Sequence, residues 1–256
     1  MEALLAQIES IVREAGQRLL ASRDAVVEVK EGIGNFVTDQ DVATQQFLYE
    51  RLGALLPDAV FVGEEDQAKV ETSRSGRCIV IDPIDGTANF IRGANYSAIS
   101  VGLLLDGVPE IGVVFNPWSG ELFKAQRGKG AFLNDKPIRV SGNPLSQGIV
   151  VIGFTSYARD LNEKQFRMFR GLFDRCQDLR CFGSAALDIC GVACGRWEAF
   201  VELRLMPWDY AGAMCVLQEA GGILTNAEGN EIGFSGTTSV LAAAKNCYAE
   251  ALEPCK

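Results

Sequence analysis

Apolar side chains recur at Leu4, Leu5, Ile8, Ile11, Val12, Ala15, Leu19 and Leu20, with charged positions between them. That spacing marks one face of a helix, and it predicts an amphipathic opening helix over residues 2–22. Val26–Lys30 and Asn35–Thr38, separated by Gly32 and Gly34, predict short strands joined as a hairpin or by a mobile loop. Thr38 followed by Asp41 reads as an N-cap with an acid in the first turn of a second helix, Asp39–Leu55, which Pro57-Asp58 breaks. Val60–Val62 is a short strand, and the apolar run Cys78–Ile81 is a buried one. Tyr96–Leu105 and Pro109–Phe115 predict long strands turning at Asp106-Gly107. Glu121–Gln126 and Ala131–Leu133 continue the meander, with a further turn at Asn134-Asp135-Lys136-Pro137.

After about residue 145 helices and strands alternate. Strand Ile149–Phe154, helix Asn162–Phe173 and strand Leu179–Phe182 lead to a helix over Ala185–Cys194. Strand Ala199–Glu202, helix Trp208–Ala220, strands Gly222–Thr225 and Ser239–Ala243 and a C-terminal helix complete the chain. The pattern therefore predicts an α/β, layered fold in a single unit. Residues 1–145 combine helices with a mostly antiparallel sheet, and residues 146–256 form an α/β layer.

Composition narrows the function classes. The 256 residues are 48% hydrophobic and 22% charged, as expected of a globular chain. No apolar run approaches the ~20 residues of a membrane span. Glu2 stands where a secretory signal would carry a base, so we expect a cytoplasmic start. A formal charge of -9 argues against nucleic acid as a primary ligand. For a phosphate-ester ligand the same charge requires bound cations to reverse its sign locally. There is no histidine, and none of the eight cysteines forms a C-x-x-C pair. A structural zinc site and any histidine-based catalysis are thereby set aside, and most cysteines read as small core residues.

The chemistry gathers in Ile81-Asp82-Pro83-Ile84-Asp85-Gly86-Thr87. Carboxylates hold hard cations such as Mg²⁺, and glycine turns at helix N-termini hold phosphate. The plain alternative is local: Asp-Pro and Asp-Gly are common turn pairs, and an acid before a helix is often only a cap. Glu64 follows a predicted strand and Asp209 opens a predicted helix, so each has the same plain alternative. If Glu64, Asp82, Asp85 and Asp209 converge, repulsion at ~5 Å costs roughly 3 kcal/mol per pair at an effective dielectric of about 20. Two or three Mg²⁺ ions would relieve it. Asp39-Gln40-Asp41 with Glu50 imitates a calcium loop but places Thr44 where that loop needs glycine. The basic loop Arg127-Gly128-Lys129-Gly130 reads as solvated.

Together with Gly63-Glu64-Glu65 upstream and Trp208-Asp209 downstream, Asp82-Pro83-Ile84-Asp85-Gly86-Thr87 closely resembles the inositol monophosphatase family of Mg²⁺-dependent, lithium-sensitive phosphatases. The resemblance implies an αβαβα sandwich of the inositol monophosphatase and fructose-1,6-bisphosphatase type, with the active site between the halves. It implies that Glu64, Asp82 and the carbonyl of Ile84 hold one metal, that Asp82, Asp85 and Asp209 hold a second, and that Glu64 shares a third. The N–H groups of Gly86 and Thr87 would receive phosphate. Thr87 relayed to Asp41 would orient a metal-activated water for direct in-line attack, with no phosphoenzyme, and Lys30 would lie near the metals. Sugar or inositol hydroxyls would meet Asp85, Gly183, Ser184, Ala185 and Glu202.

Glu202 suits a vicinal diol because a carboxylate accepts two hydroxyls, although its plain reading is a strand-end surface acid. Arg204 falls on the same side of that strand and could reach a second phosphate. Ala88 stands where the family commonly has threonine, which weakens the assignment to myo-inositol itself. The implied function is a phosphomonoesterase of inositol 1-phosphate or a similar polyol phosphate. Fructose 1,6-bisphosphate, histidinol phosphate and a nucleotide 3′-phosphate are alternative substrates, and a non-catalytic regulatory binding protein is the alternative of another class. The resemblance also implies a homodimer, for which the apolar strands after Tyr96 are candidates.

Overall fold

The structure, a computed structural model, describes residues 2–21, 26–29, 36–66, 75–154 and 159–256. Its organising strand is β4 of the sheet, Arg77–Asp85, whose residues after Arg77 are all buried. Successive side chains of a strand point to opposite faces. Cys78 and Val80 accordingly enter one core, while Ile79 and Ile81 enter another. Both faces of β4 are covered, which is why its sequence reads as a continuous apolar run.

Seven strands share this sheet. They are β3 (Val60–Gly63), β4, β5 (Ala98–Leu105), β6 (Val108–Asn116), β7 (Glu121–Gln126), β8 (Ala131–Leu133) and β9 (Lys136–Ile138), in that order. Only β3 and β4 pair in parallel. The amphipathic helices α1 (Glu2–Ala21) and α2 (Asp39–Leu55) cover the outer face through Ile8, Val12, Leu48 and Leu52. The short hairpin β1 (Val27–Val29) and β2 (Phe36–Thr38) lies between them in the chain.

Helices α5 (Ala185–Ala193) and α6 (Pro207–Glu219) fill the space between the inner face and a second sheet of five strands. Every residue of α5 is buried, so its apolar residues form no single stripe. Gly112 lets α6 approach the sheet: a Cβ there would stand 2.1 Å from the carbonyl oxygen of Gly212. The second sheet runs β11 (Asp178–Arg180), β10 (Ile149–Ile152), β12 (Ala199–Leu205), β14 (Thr238–Ala244) and β13 (Gly222–Thr225). Its far face packs on α4 (Asn162–Phe173) and α7 (Tyr248–Leu252). The layers are thus α, β, α, β, α, the expected sandwich.

Three local expectations are corrected. The acidic stretch is not a turn after a strand, because β4 continues to Asp85. Asp82 pairs with Ser100 and Asp85 with Ala98, so Pro83 and Ile84 together oppose the single residue Ile99. This is a bulge, one of the few places a sheet tolerates proline. Second, the turn at residues 134–137 involves only Asn134 and Asp135, both at positive φ, while Lys136 and Pro137 begin the edge strand β9. Third, β12 extends to Leu205, which leaves Glu202 inside the strand rather than at its end.

Candidate active site

The carboxyl ends of the parallel pair β3 and β4 deliver the first acids. Gly63 pairs with Ile81, and the Glu64 N–H donates to the Ile81 carbonyl over 3.2 Å, which places Glu64 beside Asp82. Helix α2 shapes this turn from behind. Gln45 Oε1 accepts the Glu65 N–H at 3.0 Å, and the Tyr49 hydroxyl donates to Asp66. A Cβ at Gly63 would come within 2.3 Å of Gln45 Oε1.

The bulge in β4 aims Asp82 and Asp85 toward the two central helices. Asp82 Oδ1 accepts the Ile84 N–H at 3.0 Å. Asp85 sits at the N-terminus of α5, where the Ala185 and Ala186 N–H groups donate to it at 3.2 and 2.8 Å and Ser184 Oγ donates to Oδ2. An anion at a helix N-terminus is favoured by unpaired N–H groups and the dipole, and here the protein's own carboxylate supplies it. Asp209 is the third residue of α6, after Pro207, and its Oδ2 accepts the Met206 N–H at 2.6 Å. One oxygen from each of Asp82, Asp85 and Asp209 lies within 4.8 Å of the others.

The electrostatics follow from that crowding. Burial, then the charges of Glu64, Asp85 and Asp209, hold Asp82 well above the ordinary carboxylate range. Burial, then Asp85 and Glu64, raises Asp209 in the same way. Asp85 is pushed up to about 6 by burial, offset by its Ser184 and backbone hydrogen bonds. Such a cluster of acceptor-only oxygens fits a hard divalent cation, which would relieve the repulsion.

Thr38 is the predicted N-cap, and it forms a capping box that places Asp41: Thr38 donates its N–H (2.7 Å) and its hydroxyl (2.5 Å) to Asp41 Oδ2. Its other oxygen, Oδ1, faces Thr87 Oγ1 at 3.4 Å, while that hydroxyl also donates to the Ile84 carbonyl at 3.1 Å. The capping role and the proximity to Thr87 therefore coexist on one side chain. Burial pushes the Asp41 carboxyl up to about 7 against the lowering effect of Thr38. Between the acids and helix α3 (Thr87–Arg92) stands Gly86 at φ 88, where a Cβ would lie 2.8 Å from the Gly183 carbonyl oxygen.

Ser184 and Ala185 meet Asp85 through the hydrogen bonds described above, while the carbonyl of Gly183 faces Gly86 and Asn89. Glu202 stands across from Gly153, where a Cβ would sit 2.0 Å from Glu202 Oε2. Burial, then the charge of Asp85, pushes Glu202 up to about 8. Arg204 Nη2 lies 3.7 Å from Asp160 Oδ2, so it already faces an acid. Lys30 lies outside the described residues. The loop Arg127–Gly130 is a solvated turn as expected, with Arg127, Gly128 and Lys129 exposed, and the N–H groups of Gly128 and Gly130 donate to the two oxygens of Glu219 at 2.8 and 2.7 Å.

Two further groups enter the site without a signal in the sequence. Asn89 Nδ2 lies 2.9, 2.7 and 3.2 Å from the carbonyl oxygens of Tyr96, Phe182 and Gly183, fastening the α3 segment to the loop that carries Ser184. Tyr96 donates its hydroxyl to Asp188 Oδ1 at 2.8 Å, and burial holds that carboxyl well above its ordinary range. The lone acid in the apolar run of α5 is the one hint of Asp188.

A sequence model described as the inositol monophosphatase family matches residues 1–255. An inositol-1-monophosphatase of Bacillus subtilis is 34% identical over 234 residues, covering 90% of this chain and 88% of that one. A Nus factor SuhB of Pasteurella multocida is 36% identical over 239 residues, covering 91% and 88%. A staphylococcal IMPase-II solved with 2′AMP bound superimposes with a TM-score of 0.85 at 30% identity, covering 99% of this chain and 93% of that one. The same protein with inositol monophosphate bound gives 0.83 at 30% identity, covering 98% and 92%.

Proposed function

The chain belongs to the inositol monophosphatase family, and on that premise we propose that it is a Mg²⁺-dependent phosphomonoesterase of inositol 1-phosphate or a similar small polyol phosphate. The observation that carries the reading is the convergence of Asp82, Asp85 and Asp209 within 4.8 Å beside Glu64. Glu64, Asp82, the Ile84 carbonyl, Asp85 and Asp209 would hold two to three Mg²⁺ ions. Those ions would neutralise phosphate, lower the pKa of a nearby water and stabilise the leaving alkoxide.

The protein's own groups would do the rest. The N–H groups of Gly86 and Thr87 would orient phosphate, the former in the left-handed conformation that opens α3. Water would attack phosphorus in line with the ester oxygen as the P–O bond breaks. Its proton would pass by way of Thr87 Oγ1 to Asp41 Oδ1, 3.4 Å away. An Asp41 carboxyl at about 7 is matched to that task near neutral pH. Glu202 would accept vicinal hydroxyls of the polyol, with Asp85, Gly183, Ser184 and Ala185 beside it facing the same substrate, and Ser184 and Ala185 would also position Asp85. In this reading residues 1–145 carry the metal motifs apart from Asp209, and residues 146–256 carry the substrate-facing residues apart from Asp85. Lithium inhibition, a homodimer and a cytoplasmic setting belong to the same reading.

Two substrate variants have specific support. The staphylococcal relative is solved with 2′AMP bound, which favours testing nucleotide phosphates. Arg204 would favour a bisphosphate, but the nearby Asp160 competes for it. A second reading, a regulatory binding protein on this fold, is favoured by the name Nus factor SuhB carried by a relative 36% identical.

The deciding experiment is phosphate release from inositol, sugar, histidinol and nucleotide phosphates, with and without Mg²⁺, on wild type and Asp82→Asn. Mg²⁺-dependent turnover abolished in the variant is expected. Absence of turnover on every substrate, with Mg²⁺ still bound, would leave the regulatory reading.

A further inference from the structure

Ser100 lies on β5 directly opposite Asp82 on β4. Opposite residues of an antiparallel pair share a face and have Cβ atoms about 4.5–5.5 Å apart. That face is the inner one, because Val80 and Ala98, each two positions along its strand, enter the inner core. Ser100 is 1% exposed, and among the described residues its hydroxyl has no hydrogen-bond partner. It rests on α6, where a Cβ on Gly212 would meet it at 2.8 Å. Gly212 is one turn beyond Asp209.

The hydroxyl is conspicuous because the acids around it are individually supported. Asp82 has the Ile84 N–H, Asp85 has Ser184 and two backbone groups, and Asp209 has the Met206 N–H. A buried hydroxyl without a partner costs stability. A serine also has three staggered side-chain rotamers, so its donor can turn from Gly212 toward the residue across the strand.

We propose that Ser100 is a positioning residue of the metal site, turning its hydroxyl onto the carboxylate of Asp82 and fixing that carboxylate for a divalent cation. The inference rests on the metal-binding reading of the preceding section. Ile84 N–H and Ser100 would then hold Asp82 from two sides, leaving its orientation little freedom. Groups that orient metal ligands in this way typically change affinity by about 10–100-fold when removed.

The test is thermal unfolding of the full chain, stripped of metal, across an Mg²⁺ titration, for wild type, Ser100→Ala and Ser100→Cys. Cysteine keeps the side-chain shape with a somewhat larger terminal atom but is a weak donor. In EDTA both variants should melt at or above the wild-type temperature, because an unpartnered hydroxyl has been removed. Both should need about 10-fold more Mg²⁺ for half of the stabilising shift. Unchanged Mg²⁺ midpoints in a wild type that responds to Mg²⁺ would overturn the inference and leave the metal reading standing. A wild type that shows no Mg²⁺ response would overturn both.

Discussion

The Ala186 N–H donates to Asp85 Oδ2 over 2.8 Å, joining two residues 101 positions apart. The bond ties the helix layer of the second half to the acidic strand of the first, and Ser184 reinforces it while also capping α5. Removing the Ser184 hydroxyl would therefore do two things at once. Ser184→Ala should lose about 1 kcal/mol of stability as a lost N-cap. It should also raise the Asp85 carboxyl further and weaken Mg²⁺ binding. Urea unfolding and an Mg²⁺ titration check the two effects separately; a variant with wild-type Mg²⁺ affinity would detach Ser184 from the site.

The acid cluster should destabilise the metal-free protein. Two ionised carboxylates within 4.8 Å of each other repel by roughly 3 kcal/mol or more at an effective dielectric of about 20. Asp82→Asn removes one charge while retaining shape. It should melt higher than wild type in EDTA and lose the stabilising response to Mg²⁺. A lower melting temperature in EDTA would mean that the acids are held together by something other than a cation.

The same groups set a pH dependence. Asp41 at about 7 and Asp85 at about 6 both lie above the ordinary value of 3.8. Between about pH 4 and their folded values, the native state keeps protons that the unfolded chain has released. Their contribution to stability is therefore complete below about pH 4 and is lost as pH rises toward 7. In EDTA the urea midpoint should fall from about pH 5 to about pH 8. Mg²⁺, which binds the ionised form, should oppose that fall. A midpoint that rises over this range in EDTA would contradict the shifts.

Gly86 is constrained twice, by φ 88 and by the Gly183 carbonyl oxygen 2.8 Å from where its Cβ would be. The left-handed conformation alone costs a non-glycine residue roughly 1–2 kcal/mol. Gly86→Ala should exceed that, because the backbone at Gly183 must also move, and turnover should fall with it. Denaturant unfolding checks the first expectation and phosphate release the second.

Much of this was legible because its signals are local. Thr38 and Asp41 announce the N-terminus of α2, and apolar runs broken at Asp106-Gly107 announce the meander. The layered architecture follows from strands buried on both faces and from an α5 that is apolar but for Asp188. The bulge in β4 was not legible, because an Asp-Pro pair reads as a turn unless the pairing with Ser100 and Ala98 is known. The contacts of Asn89 and the placement of Ser100 depend equally on register and tertiary contact. The bonds from the Arg127–Gly130 loop to Glu219 were not legible for the same reason: Glu219 is 89 positions from Gly130.

Asp41 and Thr87 form the most discriminating pair for the proposed chemistry. Thr87 Oγ1 stands 3.4 Å from Asp41 Oδ1, a long contact of the kind that tightens when substrate binds. If the two act as a relay, Thr87→Val removes the hydroxyl at nearly constant shape and should lower kcat by about 10²–10⁴-fold. KM and the Mg²⁺ midpoint should change little, and Thr87→Ser should retain most activity. The double variant Thr87→Val, Asp41→Asn should be no slower than the slower single variant, because groups acting as one unit are non-additive. Kinetics on the four proteins, with Thr87→Ser as control, test this. Losses that simply multiply would mean that Asp41 serves as the cap of α2 and that the proton leaves by another route.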